Sequence, residues 1–227
     1  MIRPVRKIED NRILTPNQAD FLLEFSESEL KDVFRLTGGT ALSAFFLEHR
    51  LSEDLDFFST EKISIHLCRQ FLSGLKSAAI ISATRKFDRN IFLLKHEDNS
   101  TLKVEFTYYP LQNIEATWDL GGLRVDGFLD IVVNKLCAIA DRIESKDYLD
   151  VYWALKKGDH SLEELMVFAE RKCEIRGINH ILKNRLLQLP EGIDLLPLLV
   201  DIKPYEVRSF FERAVREIVR KEISVRE

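Results

Sequence analysis

Residues 36–59 read LTGGTALSAFFLEHRLSEDLDFFS. The β-capable run DVFRLT (32–37) leads into Gly38-Gly39, an apolar stripe of Leu42, Phe45 and Phe46 follows at helical spacing, and EDLDFFS (53–59) then alternates polar with apolar. The pattern predicts strand, glycine turn, helix and strand. In the second strand, residues two apart project from the same side, so Asp54 and Asp56 point together while Leu55 and Phe57 turn to the core. Neighbouring carboxylates repel, and one pKa must rise unless a cation joins them. The pair is therefore either exposed decoration or a site for a hard ion such as Mg²⁺. Gly38-Gly39 lets the backbone approach a ligand, and a helix starting near Thr40 would offer N–H groups and a dipole end to a phosphate.

Working outward, TLKVEFTYYP (101–110) alternates Val104, Phe106 and Tyr108 with Lys103, Glu105 and Thr107. On a strand beside the aspartates, Glu105 would be a third carboxylate, the number that suits a two-metal site. AIISATRKF and NIFLLKHE supply two further strands, with EDNS (97–100) as the turn into the third. Before the opening stretch, Thr15 as N-cap and Pro16 at the first helical position start an amphipathic helix carrying Phe21, Leu22 and Phe25. EKISIHLCRQFLSGLKSA also reads as helix. From Phe128 onward the pattern is helical: FLDIVVNKLCAIADRI, then KDYLDVYWALKKG closed by Gly158, then LEELMVFAERKC behind a Ser161/Glu164 capping box. LLPLLV (195–200), too short and interrupted for anything else, is expected to be buried. Pro204 opens a last helix whose face holds Val207, Phe210, Phe211, Ala214, Val215, Ile218 and Val219. The expected fold is α+β: a mixed β-sheet with flanking helices over residues 1–127, followed by a C-terminal helical bundle over 128–227.

The chain has 227 residues, 45% of them apolar, enough for a continuous core, and a net charge of -4 that gives no global reason to bind nucleic acid or an anionic membrane. Any nucleic-acid contact must be local. The three cysteines, Cys68, Cys137 and Cys173, are far apart and outside any CxxC spacing, which argues against a disulfide framework and against zinc, and for a reduced, cytoplasmic protein. MIRPVRKIEDNR lacks the apolar region of a signal peptide, and no apolar run nears the roughly 18 residues of a membrane span. His66, His96, His160 and His180 show no spacing for a metal or a triad.

Taken together, FRLTGGTALSAFFLEHRLSEDLDFFS resembles the first motif of the DNA polymerase beta-like nucleotidyltransferase superfamily, and more narrowly the AbiEii/AbiGii toxin family, whose members show G-G-T-A-L followed by H-R and S-x-D-L-D-F. NKLCAIADRIESKDYLDVYWAL resembles that family's second motif through Lys135, Ala138, Arg142, Lys146, Asp147 and Asp150. The resemblance implies that Gly38, Gly39 and Thr40 cradle a nucleoside triphosphate, Asp54 and Asp56 hold Mg²⁺, Lys135 reaches a phosphate and Asp147 completes the polar site. Lys135 and Arg142, seven apart, share a helix face, where positive charge would offset a triphosphate. Asp147 and Asp150 sit near a helix start, favoured by its dipole, although Lys146 to Asp150 is also an ordinary i,i+4 pair. His49 and Arg50 read as a helix-terminal pair. The implied activity is Mg²⁺-dependent transfer of a nucleoside monophosphate to an acceptor hydroxyl. The implied acceptor is an RNA such as tRNA and the implied partner a cognate antitoxin. A small-molecule or protein acceptor, or a non-catalytic nucleotide-binding module of the same fold, is the alternative.

Overall fold

Thr15 starts the first helix, α1 (Pro16–Ser26), with a reciprocal cap: its hydroxyl accepts from Gln18 N at 3.2 Å, and its own N–H donates to Gln18 Oε1 at 3.0 Å. β1 (Arg35–Thr37) then runs into α2 (Gly38–Leu42), which passes directly into a π-turn, Ser43–Leu47, and stops at Glu48 with φ +48°. β2 (Leu55–Ser59), α3 (Ile65–Ser73), β3 (Ala78–Lys86), β4 (Arg89–His96) and β5 (Thr101–Tyr108) follow, then β6 (Trp118–Leu120) and β7 (Leu123–Val125). The rest is helical: α4 (Phe128–Asp141), α5 (Ser145–Lys157), α6 (Leu162–Cys173), α7 (Ile178–Leu186) and α8 (Pro204–Ser224). The structure, a computed structural model, describes residues 2–224, so the outer ends of the two expected domains, Met1 and residues 225–227, lie outside the described residues. The chain divides into two compact units, Ile2–Ile131 and a second beginning at Val132.

The first unit is built on a mixed seven-stranded sheet in the order β3-β4-β5-β2-β1-β7-β6. β2 is antiparallel to β1 but parallel to β5, and β1 is parallel to β7. Parallel neighbours need a long crossover, and between β2 and β5 that crossover is α3 plus the β3–β4 hairpin. Below the sheet lies a ring cluster, with centroids 4.3 Å apart for Phe25 and Phe57, 5.3 Å for Phe57 and Phe106, and 4.9 Å for Phe34 and Phe106. Leu55 and Phe57 are fully buried. Because side chains alternate across a strand, this anchoring aims Asp56 at the opposite face.

The β6–β7 hairpin is not among the strands expected from the sequence. Three-residue strands carry too few positions for alternation to show, but their link needs glycine. Gly121 and Gly122 have φ of +71° and +93°, and a Cβ on Gly122 would come within 2.8 Å of the Ser26 carbonyl.

In the second unit, α8 buries Val207, Phe211, Val215 and Ile218, a stripe narrower than expected, since Val219 is exposed. The expectation that LLPLLV is buried is corrected: Leu195 is 84% exposed and Leu199 47%. The segment follows a single 3₁₀ turn, Ile193–Leu195, and has no repeat that would hold its side chains to one face. The cysteine expectation is corrected as well. Cys137 on α4 and Cys173 on α6 form a disulfide, their Cα atoms 6.7 Å apart although 36 residues separate them in sequence. Sequence spacing carries no trace of a pair made by helix packing. Cys68 is fully buried, and burial pushes its thiol up to about 12. Thiol titration of the oxidised, folded protein at neutral pH is therefore expected to find no reactive cysteine, of the denatured oxidised chain one, and of the reduced and denatured chain three.

Candidate active site

β1 leaves the sheet at Gly38, where φ is +77° and an added Cβ would overlap Asp56 Oδ2. Glycine is required there on both counts. At Gly39 an added Cβ would meet Arg50 Nη2 and Ser52 Oγ, so the turn is packed from both sides. Thr37 pairs in register with Asp56, and its buried Oγ1 has no hydrogen-bond partner among the described residues. Thr40, also buried, donates its hydroxyl to the Asp54 carbonyl, tying the start of α2 to the start of β2. The glycine turn and the D-x-D strand thus form one construction, closed by β1–β2 pairing. His49 and Arg50 are buried behind it: the Ser43 hydroxyl donates to the Arg50 carbonyl, and Arg50 Nη1 donates to the Leu51 carbonyl at 2.9 Å.

The parallel β2–β5 ladder sets Asp56 directly beside Glu105. The cation that such a carboxylate group demands is already in the chain. Lys103 Nζ lies 2.6 Å from Asp54 Oδ2 and 2.9 Å from Glu105 Oε1, and Arg89 Nη1 lies 3.3 Å from Glu105 Oε2. Partial burial by itself would lower the Lys103 pKa, but the hydrogen bonds to Asp54 and Glu105, with their charges, outweigh it and raise the value. The ammonium is therefore charged throughout the physiological range. Lys103 and Arg89 were missed by sequence reasoning. The signal was a lysine two residues before Glu105 on the same strand face, but which strand lies alongside is decided only by the fold. The donor set of Asp54, Asp56 and Glu105 is all oxygen, the chemistry that fits a hard divalent ion. Among the described residues, however, no group of three or more His, Cys, Asp or Glu side chains is gathered closely enough to hold one.

In the second unit, Lys135 on α4 lies between two carboxylates of α5, 2.9 Å from Asp147 Oδ1 and 2.8 Å from Asp150 Oδ2. Arg142, just past the end of α4, reaches Asp147 Oδ2 at 2.9 Å. Asp147 and Asp150 are fully buried, and Lys135 nearly so. The i,i+4 pair of Lys146 with Asp150 does not form; Lys146 instead pairs with Glu144 at 3.2 Å. Asp150 faces inward one turn after Asp147 and completes a neutral square of two cations and two carboxylates. The two motifs noted in the sequence are each assembled, one in each unit.

Nucleotidyltransferases offer a nucleotide a glycine turn on one strand and acidic residues on the next, and by fold and family this chain is of that class. It belongs to the AbiEii family: the profile described as nucleotidyl transferase AbiEii toxin, type IV toxin–antitoxin system, matches residues 20–223. An uncharacterised protein of Aquifex aeolicus is 34% identical over 189 residues, covering 81% of this chain and 87% of its own. Two Helicobacter pylori crystal structures share the fold. One, solved as a candidate nucleotidyltransferase, has a TM-score of 0.57 at 23% identity and covers 93% of this chain and 99% of its own; the other, JHP933, has 0.54 at 22%, covering 91% and 94%. Among the described residues no helix is long and apolar enough to cross a membrane.

Two stability outcomes follow from this geometry. Gly121→Ala, with φ positive but open space around the new methyl, is expected to cost about 1 kcal/mol, whereas Gly38→Ala also displaces Asp56 and should cost clearly more in a urea denaturation series. Asp147→Ala leaves this buried group with two cations and one carboxylate and should lose about 3–5 kcal/mol, while Arg142→Gln, at a side chain 41% exposed, should lose far less.

Proposed function

We propose that this protein transfers a nucleoside monophosphate from a nucleoside triphosphate to an acceptor hydroxyl, with Mg²⁺, as the toxin of a toxin–antitoxin pair, and that the acceptor is an RNA such as tRNA. The observation that carries the reading is the contact of Gly38 with Asp56 at the head of the β2–β5 ladder, where Asp54 and Glu105 share a built-in cation. The missing side chain at Gly38 is what lets the backbone turn pack directly against that carboxylate. The buried, unpartnered Thr37 hydroxyl beside Asp56 supports the same reading, since such a group normally finds a polar partner.

In the proposed reaction the acceptor oxygen forms a bond to the α-phosphorus, the bond from that phosphorus to the bridging oxygen breaks, and pyrophosphate leaves. The hydroxyl proton passes to a carboxylate of the Asp54, Asp56 and Glu105 set. Asp54 and Asp56 would hold Mg²⁺, and Glu105, in register with Asp56, would have to be drawn in to serve as a further donor; the ion, when bound, would polarise the phosphates and offset their charge. Lys103, bonded to Asp54, would have to yield that carboxylate to the ion. Gly38, Gly39 and Thr40 line the triphosphate side. Lys135, Arg142 and Asp147 are proposed to support transfer as the family's second motif, Lys135 and Arg142 as phosphate-binding cations. Nucleotide and RNA substrates place the action in the cytoplasm, where the Cys137–Cys173 bond would be reversible.

Incubation with Mg²⁺, each α-labelled nucleoside triphosphate and total RNA is expected to label RNA. Asp56→Ala should abolish the labelling while melting at the wild-type temperature to within a few degrees. Absence of label on RNA, protein and small-hydroxyl acceptors alike, with Asp56→Ala indistinguishable from wild type, refutes the enzyme; label on protein or small molecules alone refutes the RNA acceptor. In cells, induced expression should slow growth, and Asp54→Ala and Arg142→Gln should each relieve it.

A further inference from the structure

The β3–β4 hairpin carries a feature that nucleotide transfer leaves unused. Its two-residue loop is Phe87-Asp88, and Phe87 is 85% exposed with φ +53°. Bulky residues rarely take that backbone conformation, and glycine is the residue this loop position favours. An aromatic ring is therefore held in water at a place where both burial and backbone preference argue for another residue. Arg85 Nε donates to the Phe87 carbonyl at 3.4 Å, which fixes the turn.

Strand register shows which residues share a face of the strands that lead to this loop. Directly paired residues share a sheet face. Lys86 pairs with Arg89, Arg89 with Thr107, Ile91 with Glu105, Leu93 with Lys103 and Lys95 with Thr101. Lys86, Arg89, Lys95 and Lys103 therefore stand on one face of β3–β5, and the anion in those registered rows is Glu105, beside Asp56. Lys86, Arg89 and Lys95 are exposed, whereas Glu105 is 7% exposed, so the face opens outward from the carboxylates to the hairpin. On a chain of net charge -4 this is the local positive surface that a phosphate backbone needs. A basic sheet face whose hairpin loop carries an exposed ring is suited to bases that are unstacked, which is the state of a single strand and not of a duplex.

Resting on the RNA-acceptor reading above, we propose that the β3–β4 hairpin is the docking surface for a single-stranded RNA acceptor. Phe87 stacks a base, while Lys86 and Lys95 hold backbone phosphates, along the same face that carries Glu105 and Asp56. Recognition is by backbone and stacking, so it tolerates many sequences.

The test uses the full chain and a fluorescein-labelled single-stranded oligoribonucleotide, with binding read by anisotropy over a salt series in the absence of nucleotide. Phe87→Gly is expected to weaken RNA binding about tenfold, the equivalent of about 1.4 kcal/mol and within the range of one lost stacking contact. Its melting temperature should be unchanged or raised, because glycine suits the turn. That combination separates a binding role from a structural one. Lys86→Gln should reduce the slope of log affinity against log salt by about 0.7, one phosphate contact. Thermal shift by nucleoside triphosphate and Mg²⁺ should be unaffected in both variants. Wild-type RNA affinity and salt slope in both variants overturn the proposal, as does tighter binding of duplex than of single strand. Either failure is separate from that of transfer itself, which is read by label on an acceptor. Label confined to protein acceptors, with no RNA binding by the wild type, also overturns it.

Discussion

Asp56 and Glu105 stand side by side on parallel strands, with Asp54 at the same end, and three carboxylates so placed repel one another unless positive charge lies among them. In this chain Lys103 supplies it, bonded to both Asp54 and Glu105, with Arg89 as a second partner of Glu105. Much of the first unit serves that arrangement. The ring cluster of Phe25, Phe57 and Phe106 holds β2 and β5 in register from below, and the crossover through α3 makes the two strands parallel. The β1–β2 pairing then brings Gly38 against Asp56. An internal ammonium thus offsets the repulsion within the fold itself.

The second unit solves a related problem by burial. Lys135, Asp147, Asp150 and Arg142 balance one another, three of them almost wholly out of water. Such networks contribute little net stability compared with apolar packing, but losing one member is severe because the others remain buried. A phenotype from Asp147→Ala thus conflates folding with chemistry. Arg142, whose guanidinium is partly exposed, is the member through which the two can be told apart.

Exposure along the β3–β5 face gives the first unit a direction. Glu105 and Thr107 are nearly covered, Lys103 is intermediate, and Lys86, Arg89 and Phe87 are open. The same pleat that buries the rings on one side sets the basic side chains and Glu105 together on the other. A net charge of -4 gives no sign of this local grouping of Lys86, Arg89, Lys95 and Lys103.

Several features were legible in the sequence because their causes are local. The glycine turn, the D-x-D alternation, the Thr15 and Ser161 caps and the strand order through EDNS all depend on neighbours within a few residues, and the structure contains each of them. The Lys135 and Asp147 motif was visible through its resemblance to the family's second motif, and helix spacing put Lys135 and Arg142 on one face. What required the tertiary structure were contacts between segments far apart: Lys103 as counter-ion, Asp150 turned to Lys135 instead of Lys146, and Cys137 joined to Cys173. The short β6–β7 hairpin and the exposure of Leu195 belong with them, since three residues of strand or an apolar run without a period fix no face. Chain-local propensity determines elements and their sides. Which charges, thiols and rings then meet is decided by packing at distances that sequence spacing does not encode.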